Sequence, residues 1–151
     1  MYKVLCDSGF WFGLLDAKDE YHNSACELFE LFEKMGDVVF LLPFPSLYEF
    51  LKTSICGNQK AMELFNSIVD KNCELVSDLD YREDAFNVVK SKSNYQGRHF
   101  SLVDIIIRFI IEDTRIKKDF LLTNNRKDFG DITEIYNVSI EDVLTNQEYG
   151  K

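Results

Sequence analysis

Short, unbroken apolar runs alternate along this chain with longer segments of helical period, and that alternation constrains the fold more than any other feature. The runs are YKVLC at 2–6, VVFLL at 38–42, ELV at 74–76 and DFLLT at 119–123. Continuous apolar runs of this length suit strands covered on both faces, as in parallel sheets. Between the first two, Ala25, Leu28, Phe29, Phe32 and Met35 recur with helical spacing, Glu27, Glu30 and Glu33 lie opposite, and Gly36 follows the last of them. Further helices are predicted from Ser46 through LYEFLKTSI, over 59–70, over 80–93, and from Ser101 through the nearly all-apolar SLVDIIIRFIIEDTR, expected deep in the core. IYNV at 135–138 reads as a candidate last strand and SIEDVL, from Ser139, as a closing helix. Strands alternating with helices predict an α/β chain: a three-layer α/β/α sandwich around a central parallel sheet. At 151 residues, without an internal repeat, the expectation is a single domain over 1–151.

In such sheets function collects beyond the carboxyl ends of the strands. Asp7 follows the first run, Glu49 lies on the helix after the second, and Asn125 and Asp128 follow the fourth in TNNRKDF. Asp104 lies one turn into the apolar helix. Local chemistry accounts for three of these acids separately. Ser46-x-x-Glu49, Ser101-x-x-Asp104 and Asn125-x-x-Asp128 all resemble capping boxes, as do Asp80-x-x-Glu83 and Ser139-x-x-Asp142, where no chemistry is expected. Asp7 instead ends an apolar run, where an aspartate also serves turns. Caps do not explain why the topology brings Asp7, Glu49, Asp104 and Asp128 to one edge of the sheet. Two carboxylates about 4 Å apart repel by roughly 4 kcal/mol at an effective dielectric of 20, so four together call for a cation or for protonation. Carboxylates without neighbouring His or Cys suit Mg²⁺ or Mn²⁺, which activate water and offset charge on a leaving oxygen in phosphoryl chemistry.

These residues resemble the PIN-domain ribonucleases, and within them the VapC-like toxins of type II toxin–antitoxin pairs. The likeness rests on V-L-C-D-S-G at 4–9, S-L-Y-E-F at 46–50, F-S-L-V-D-I-I-I at 100–107 and L-L-T-N-N-R-K-D-F at 121–129, in that order over almost the whole chain. It implies a metal-dependent endoribonuclease that leaves a 5′-phosphate, acts as a homodimer and is inhibited by a cognate antitoxin. It assigns Asp7, Glu49, Asp104 and Asp128 as the acids that hold the metal and carry catalysis. It also matches Ser8 and Thr123 to small hydroxyl positions that support the carboxylates. Where many relatives have a second aspartate this chain has Asn125, whose carbonyl can ligate without charge, implying a weaker second metal position.

The partner chemistry must be reconciled with a net charge of −9, which excludes a broadly basic nucleic-acid coat and attraction of the whole molecule to an anionic membrane. The cations are concentrated, however: residues 82–127 hold ten basic residues against six acids. Lys90, Lys92, Arg98, Arg126 and Lys127 are the expected phosphate contacts, and SKSNYQGRHF at 91–100 adds Tyr95, His99 and Phe100 as rings that stack on bases. A solvated loop is the competing reading of that stretch. His22 reads as a surface or capping residue; His99, five residues before Asp104, is the histidine within reach of a cleft there. Of Phe10, Trp11 and Phe12, part is expected in the core and any exposed ring on a dimer face or partner groove.

Cys6, Cys26, Cys56 and Cys73 form no C-x-x-C pair, so neither a zinc site nor a redox motif is expected. The first aspartate comes too early for a signal peptide, and the most apolar stretch, 102–111, is too short to span a bilayer. A cytoplasmic protein is the expectation. Two rivals to an RNA-cleaving enzyme stay open: a non-catalytic module that keeps the acids as caps, and a metal-dependent phosphatase or nuclease acting on DNA. Asp7-Ser8-Gly9 lacks the D-x-D of a phosphatase.

Overall fold

A computed structural model describes residues 1–91 and 97–142. Five strands form one sheet: β1 (Tyr2–Cys6), β2 (Val38–Pro43), β3 (Cys73–Val76), β4 (Phe120–Thr123) and β5 (Ser139–Asp142). Every neighbouring pair is parallel, in the order β3-β2-β1-β4-β5. The first connections step from β1 outward to β3 on one side, and the later ones from β4 to β5 on the other. The chain therefore reverses direction across the sheet between β1 and β4, and the carboxyl ends of those two strands flank a topological switch point.

Eight helices cover the sheet among the described residues: α1 (Ser8–Leu15), α2 (His22–Met35), α3 (Phe44–Phe50), α4 (Thr53–Cys56), α5 (Gln59–Asn72), α6 (Arg82–Lys90), α7 (Leu102–Glu112) and α8 (Arg126–Ile135). Alternate residues of the strands feed two separate cores. Val4, Cys6, Phe40 and Leu42 pack with α1, α2 and α5, around Phe10, Trp11, Phe32, Phe50 and Phe65. Leu5, Leu41 and Leu121 pack on the opposite face against Ile105, Ile106, Ile107, Ile110 and Ile111 of α7 and Phe129 and Ile132 of α8. These are the three layers the alternation predicts. Phe10 and Trp11 are wholly buried, with Trp11 stacked on Phe50 at 5.6 Å, whereas Phe12 is half-buried under the Lys52 ammonium.

Two local expectations are overturned. Residues 135–138 are not a strand: Ile135 ends α8, and the strand is Ser139–Asp142, where a helix was expected. The S-x-x-D pattern there favours a cap locally, but the outer edge of β4 offers four residues of parallel pairing, and Ile140 packs into the α7–α8 core. Tertiary pairing outweighs the local propensity. The helix expected from Ser46 begins at Phe44 instead, with Pro43 as N-cap and Pro45 in the first turn, where its missing N–H is no loss. It stops at Phe50, and α4 is a separate turn.

Candidate active site

Asp7 is where strand, helix and site meet. It ends β1, caps α1 by accepting from the Ser8 N–H at 2.8 Å, and accepts a second bond from the Thr123 hydroxyl at 2.9 Å. Thr123 is the last residue of β4, fully buried, so this bond joins the two strands at the switch point. Asp7 is only 6% exposed. Burial pushes its carboxyl up to about 6, the Thr123 and Ser8 bonds pull it down, and Asp104 and Glu49 push it up again. Those last two effects place three carboxylates within electrostatic reach of one another.

Glu49 points toward Asp7 from α3, and its Oε1 accepts from the Ser8 hydroxyl at 2.8 Å. Because α3 starts at Phe44 with Pro43 as its N-cap, Glu49 lies beyond the first turn and Ser46-x-x-Glu49 is not a capping box. The equivalent reading of Asp104 holds: the Ser101 side chain N-caps α7 and accepts from the Asp104 N–H at 3.1 Å. Asp104 is nonetheless held above the ordinary carboxylate range, first by burial, with Asp128 and Glu49 adding to it against the Ser101 hydrogen bonds. It is both cap and member of the cluster. Asp128, in the first turn of α8, accepts a short hydrogen bond from the Asn125 side-chain amide. Asn125 thus donates its NH₂ to a carboxylate, while its own N–H is taken by the Thr123 hydroxyl at 3.0 Å.

Asp7, Glu49, Asp104 and Asp128 therefore share one electrostatic neighbourhood at the carboxyl edge, supported by Ser8, Thr123 and Asn125. The donor set is all oxygen, and two of its acids are held partly protonation-prone by burial and by one another, which suits a hard divalent cation. Among the described residues, no three His, Cys, Asp or Glu stand close enough together to hold a metal ion as they are placed. What links the four acids is mutual electrostatic influence, Asp7 with Glu49 and Asp104, and Asp104 with Glu49 and Asp128.

The expected cations divide. Arg98 is 36% exposed at its side chain, lies 3.8 Å from Asp128 and 3.5 Å from Asp131, and donates to the Lys127 carbonyl. Arg126 and Lys127 open α8 beside Asp128, both exposed. Lys90 is at the far end of α6, over the Phe86 ring. Lys92 and Tyr95 lie outside the described residues. Arg115, Lys117 and Lys118, counted in the same basic stretch, sit at the opposite end of the strands, where Lys117 bonds the Met1 carbonyl. His22 is engaged with the Gly13 carbonyl at the α1–α2 junction, and His99 is exposed.

Four residues of this neighbourhood carried no signal in the sequence. Asn124 packs so closely on α1 that a Cβ at Gly9 would fall 2.3 Å from its Oδ1. Arg82 shares a groove of about 300 Å³ with Glu49, Tyr48, Asp78, Leu102 and Val103. Arg108 and Asp131 form a bidentate pair, at 3.0 and 2.9 Å, beside Asp128, and these bonds hold the Asp131 carboxyl down at about 2. A hollow of similar volume, about 290 Å³, lies among Phe32, Asp37 and Lys71 at the amino ends of the strands and holds none of the four acids.

No family model matches the sequence, and no curated protein matches it. Solved structures do. VapC20 of Mycobacterium tuberculosis, described as a Sarcin-Ricin loop cleaving toxin, superposes with a TM-score of 0.62 at 17% identity, over 85% of this chain and 94% of that one. The chain has a PIN-like α/β/α fold. VapBC2 from Rickettsia felis, solved with a DNA fragment from its promoter, superposes with a TM-score of 0.60 at 15% identity, over 93% of this chain and 98% of that one. The five-stranded parallel sheet with its flanking helices is thus the architecture of VapC structures, as the motifs imply.

Proposed function

We propose that this chain is a divalent-metal-dependent endoribonuclease and the toxin of a toxin–antitoxin pair, acting in the cytoplasm. The observation that carries the reading is Asp7: a carboxylate buried at the strand switch point, tied to β4 by Thr123, and within electrostatic reach of Glu49 and Asp104. Asp7, Glu49, Asp104 and Asp128 would hold Mg²⁺ or Mn²⁺, with Ser8, Thr123 and Asn125 orienting the oxygens. When bound, the ion supplies activation of water and neutralisation of charge on the phosphodiester. The protein's own part is to bury Asp7 and Asp104, keep their oxygens on one cleft, and present Arg98, Arg126 and Lys127 to the RNA backbone. Tyr48, 78% exposed beside Glu49, offers a ring for stacking a base.

The test is cleavage of RNA and of single-stranded DNA with added Mn²⁺. RNA is cut by the parent chain, and Asp104→Asn loses at least a hundredfold in rate with its Tm within a few degrees. Full activity of that variant overturns the assignment, and preference for DNA moves it to the rival nuclease reading. One observation favours a non-catalytic binding module: no three of the acids stand at ligand distance from a common centre. Titration with millimolar Mn²⁺ separates the two, since the module gives no heat of binding.

A partner protein and a second copy complete the reading. A VapBC complex among the similar structures supports an antitoxin partner. For the homodimer, Arg82, Phe86 and Val89 recur at helical spacing along α6; Phe86 and Val89 are exposed, and Arg82 lines the groove that holds Tyr48 and Leu102. Phe86→Glu is expected to convert a dimer to a monomer in light scattering. Among the described residues no helix is long and apolar enough to cross a membrane.

A further inference from the structure

Arg108 is a guanidinium in a place where the sequence has otherwise put isoleucines. It lies one turn after Asp104 on α7, flanked by Ile106, Ile107, Ile110 and Ile111, and is 2% exposed. Stripping water from a cation costs several kcal/mol unless its geometry of partners is close to ideal. Three donations stand in for that water: Nη1 donates to the Asp128 main-chain carbonyl at 2.6 Å, and Nη1 and Nη2 donate to the two carboxylate oxygens of Asp131 at 3.0 and 2.9 Å. Asp131 follows Asp128 by three residues on α8, so the two share a face. One guanidinium therefore grips α8 at two points, Asp128 in its first turn and Asp131 in its second, while standing on the same helix face as Asp104.

A second guanidinium closes the arrangement from outside. Phe100 has Arg108 and Arg98 each 4.7 Å from its ring centroid, and Arg98 reaches Asp131 and Asp128 across the surface. Buried ion pairs are replaceable by apolar residues in many helix contacts without loss of stability. This one holds the backbone of a cleft acid, which an apolar pair does not do. We propose that Arg108 and Asp131 form a positioning clamp for Asp128, fixing the first turn of α8 on α7 so that the Asp128 carboxylate faces Asp104. The clamp rests on the reading of the four acids as a divalent-cation site and adds two residues to it, neither of which contacts the cation.

The experiment is titration of the full chain with Mn²⁺ alone, followed by calorimetry, alongside circular dichroism and RNA cleavage. Asp131→Asn, partly exposed and nearly isosteric, is expected to weaken Mn²⁺ binding about tenfold, the range measured for outer residues that orient metal ligands, with an unchanged helical spectrum. Arg108→Met is expected to do the same or more. Because the clamp acts through Asp128, Asp131→Asn on an Asp128→Asn background costs less than a further twofold. Asp113→Asn, which breaks the ion pair with Arg115 at the other end of α7, leaves Mn²⁺ binding unchanged and controls for general destabilisation. If Asp128→Asn weakens binding but Asp131→Asn stays within twofold of the parent, or if the two losses add in full, the clamp is overturned and the four-acid site stands. If Asp128→Asn itself leaves binding unchanged, the site reading fails and takes the clamp with it.

Discussion

Asp7 carries an energetic conflict that can be read out directly. Its carboxyl is raised by burial from the ordinary 3.8 to about 6, so the folded state is favoured by the protonated form. That stability is fully present below about pH 4 and is lost as the pH rises through 6, a difference of roughly 3 kcal/mol at 1.36 kcal/mol per pKa unit. Asp7→Asn is therefore expected to melt higher than the parent at pH 7.5, with the gap closing below pH 4, while losing both cleavage and the stabilisation that Mn²⁺ gives the parent. Equal melting temperatures at pH 7.5 would contradict the burial argument. Thr123 works in the other direction, because its hydroxyl lowers the same carboxyl. Thr123→Val removes that donor and the acceptor used by the Asn125 N–H, and is expected to cost about 1–3 kcal/mol. The acid limb of the Mn²⁺-dependent rate profile should move to higher pH. These two hydroxyl and carboxyl positions were legible in the sequence, because each stands at the end of an apolar run.

At the scale of elements, α1 does most to join the site to the core. Its first residue, Ser8, donates its N–H to the capping Asp7 carboxylate, and the same turn buries Phe10 and Trp11 among Phe40, Phe50 and Phe65. The Trp11 Nε1–H is buried without a hydrogen-bond partner among the described residues, so the indole contributes by packing alone. Trp11→Ala is expected to lose about 3–5 kcal/mol, and Trp11→Phe less than about 1.5 kcal/mol, in chemical denaturation. A large loss in the phenylalanine variant would mean the indole nitrogen is bonded after all. Helix α3 shows why boundaries were harder to read than existence. Ser46-x-x-Glu49 is a sound local start signal, but two prolines and the end of β2 begin the helix two residues earlier. That shift is what frees Glu49 from a capping role. The last strand departs from its local pattern for a related reason: the S-x-x-D spacing of SIED favours a cap, and pairing along the open edge of β4 makes it a strand.

For the whole molecule, the acidic balance and the basic stretch resolve into geography. Arg98, Arg126 and Lys127 stand around the first turn of α8, whereas Arg115, Lys117 and Lys118 lie at the opposite ends of the strands. Segment counts of charge merge these two groups; the fold separates them by the length of a strand. The first group stands beside Asp128, so the proposed contact with an RNA phosphate falls to it. Arg98→Ala is expected to raise KM for RNA, and to reduce the slope of log affinity against log salt by about 0.7, the share of one phosphate contact on a single strand. Lys117→Ala should change neither. An equal effect of both would mean that RNA does not approach from the carboxyl edge.

The order of apolar runs and helical segments already pointed to a parallel sheet with helices on both faces, because a helix between successive strands returns the chain to the same end of the sheet and covers a face as it does so. It also raised the expectation that Asp7, Glu49 and Asp128, each following a strand in the chain, share one edge with Asp104 at the start of α7. What tertiary structure alone decided was which groups support them. Arg108 pairing with Asp131, Asn124 against Gly9, Arg82 beside Glu49 and Ser139–Asp142 as a strand are contacts between segments far apart in the chain. No local pattern encodes such contacts, because the energy that selects them exists only once the layers have packed.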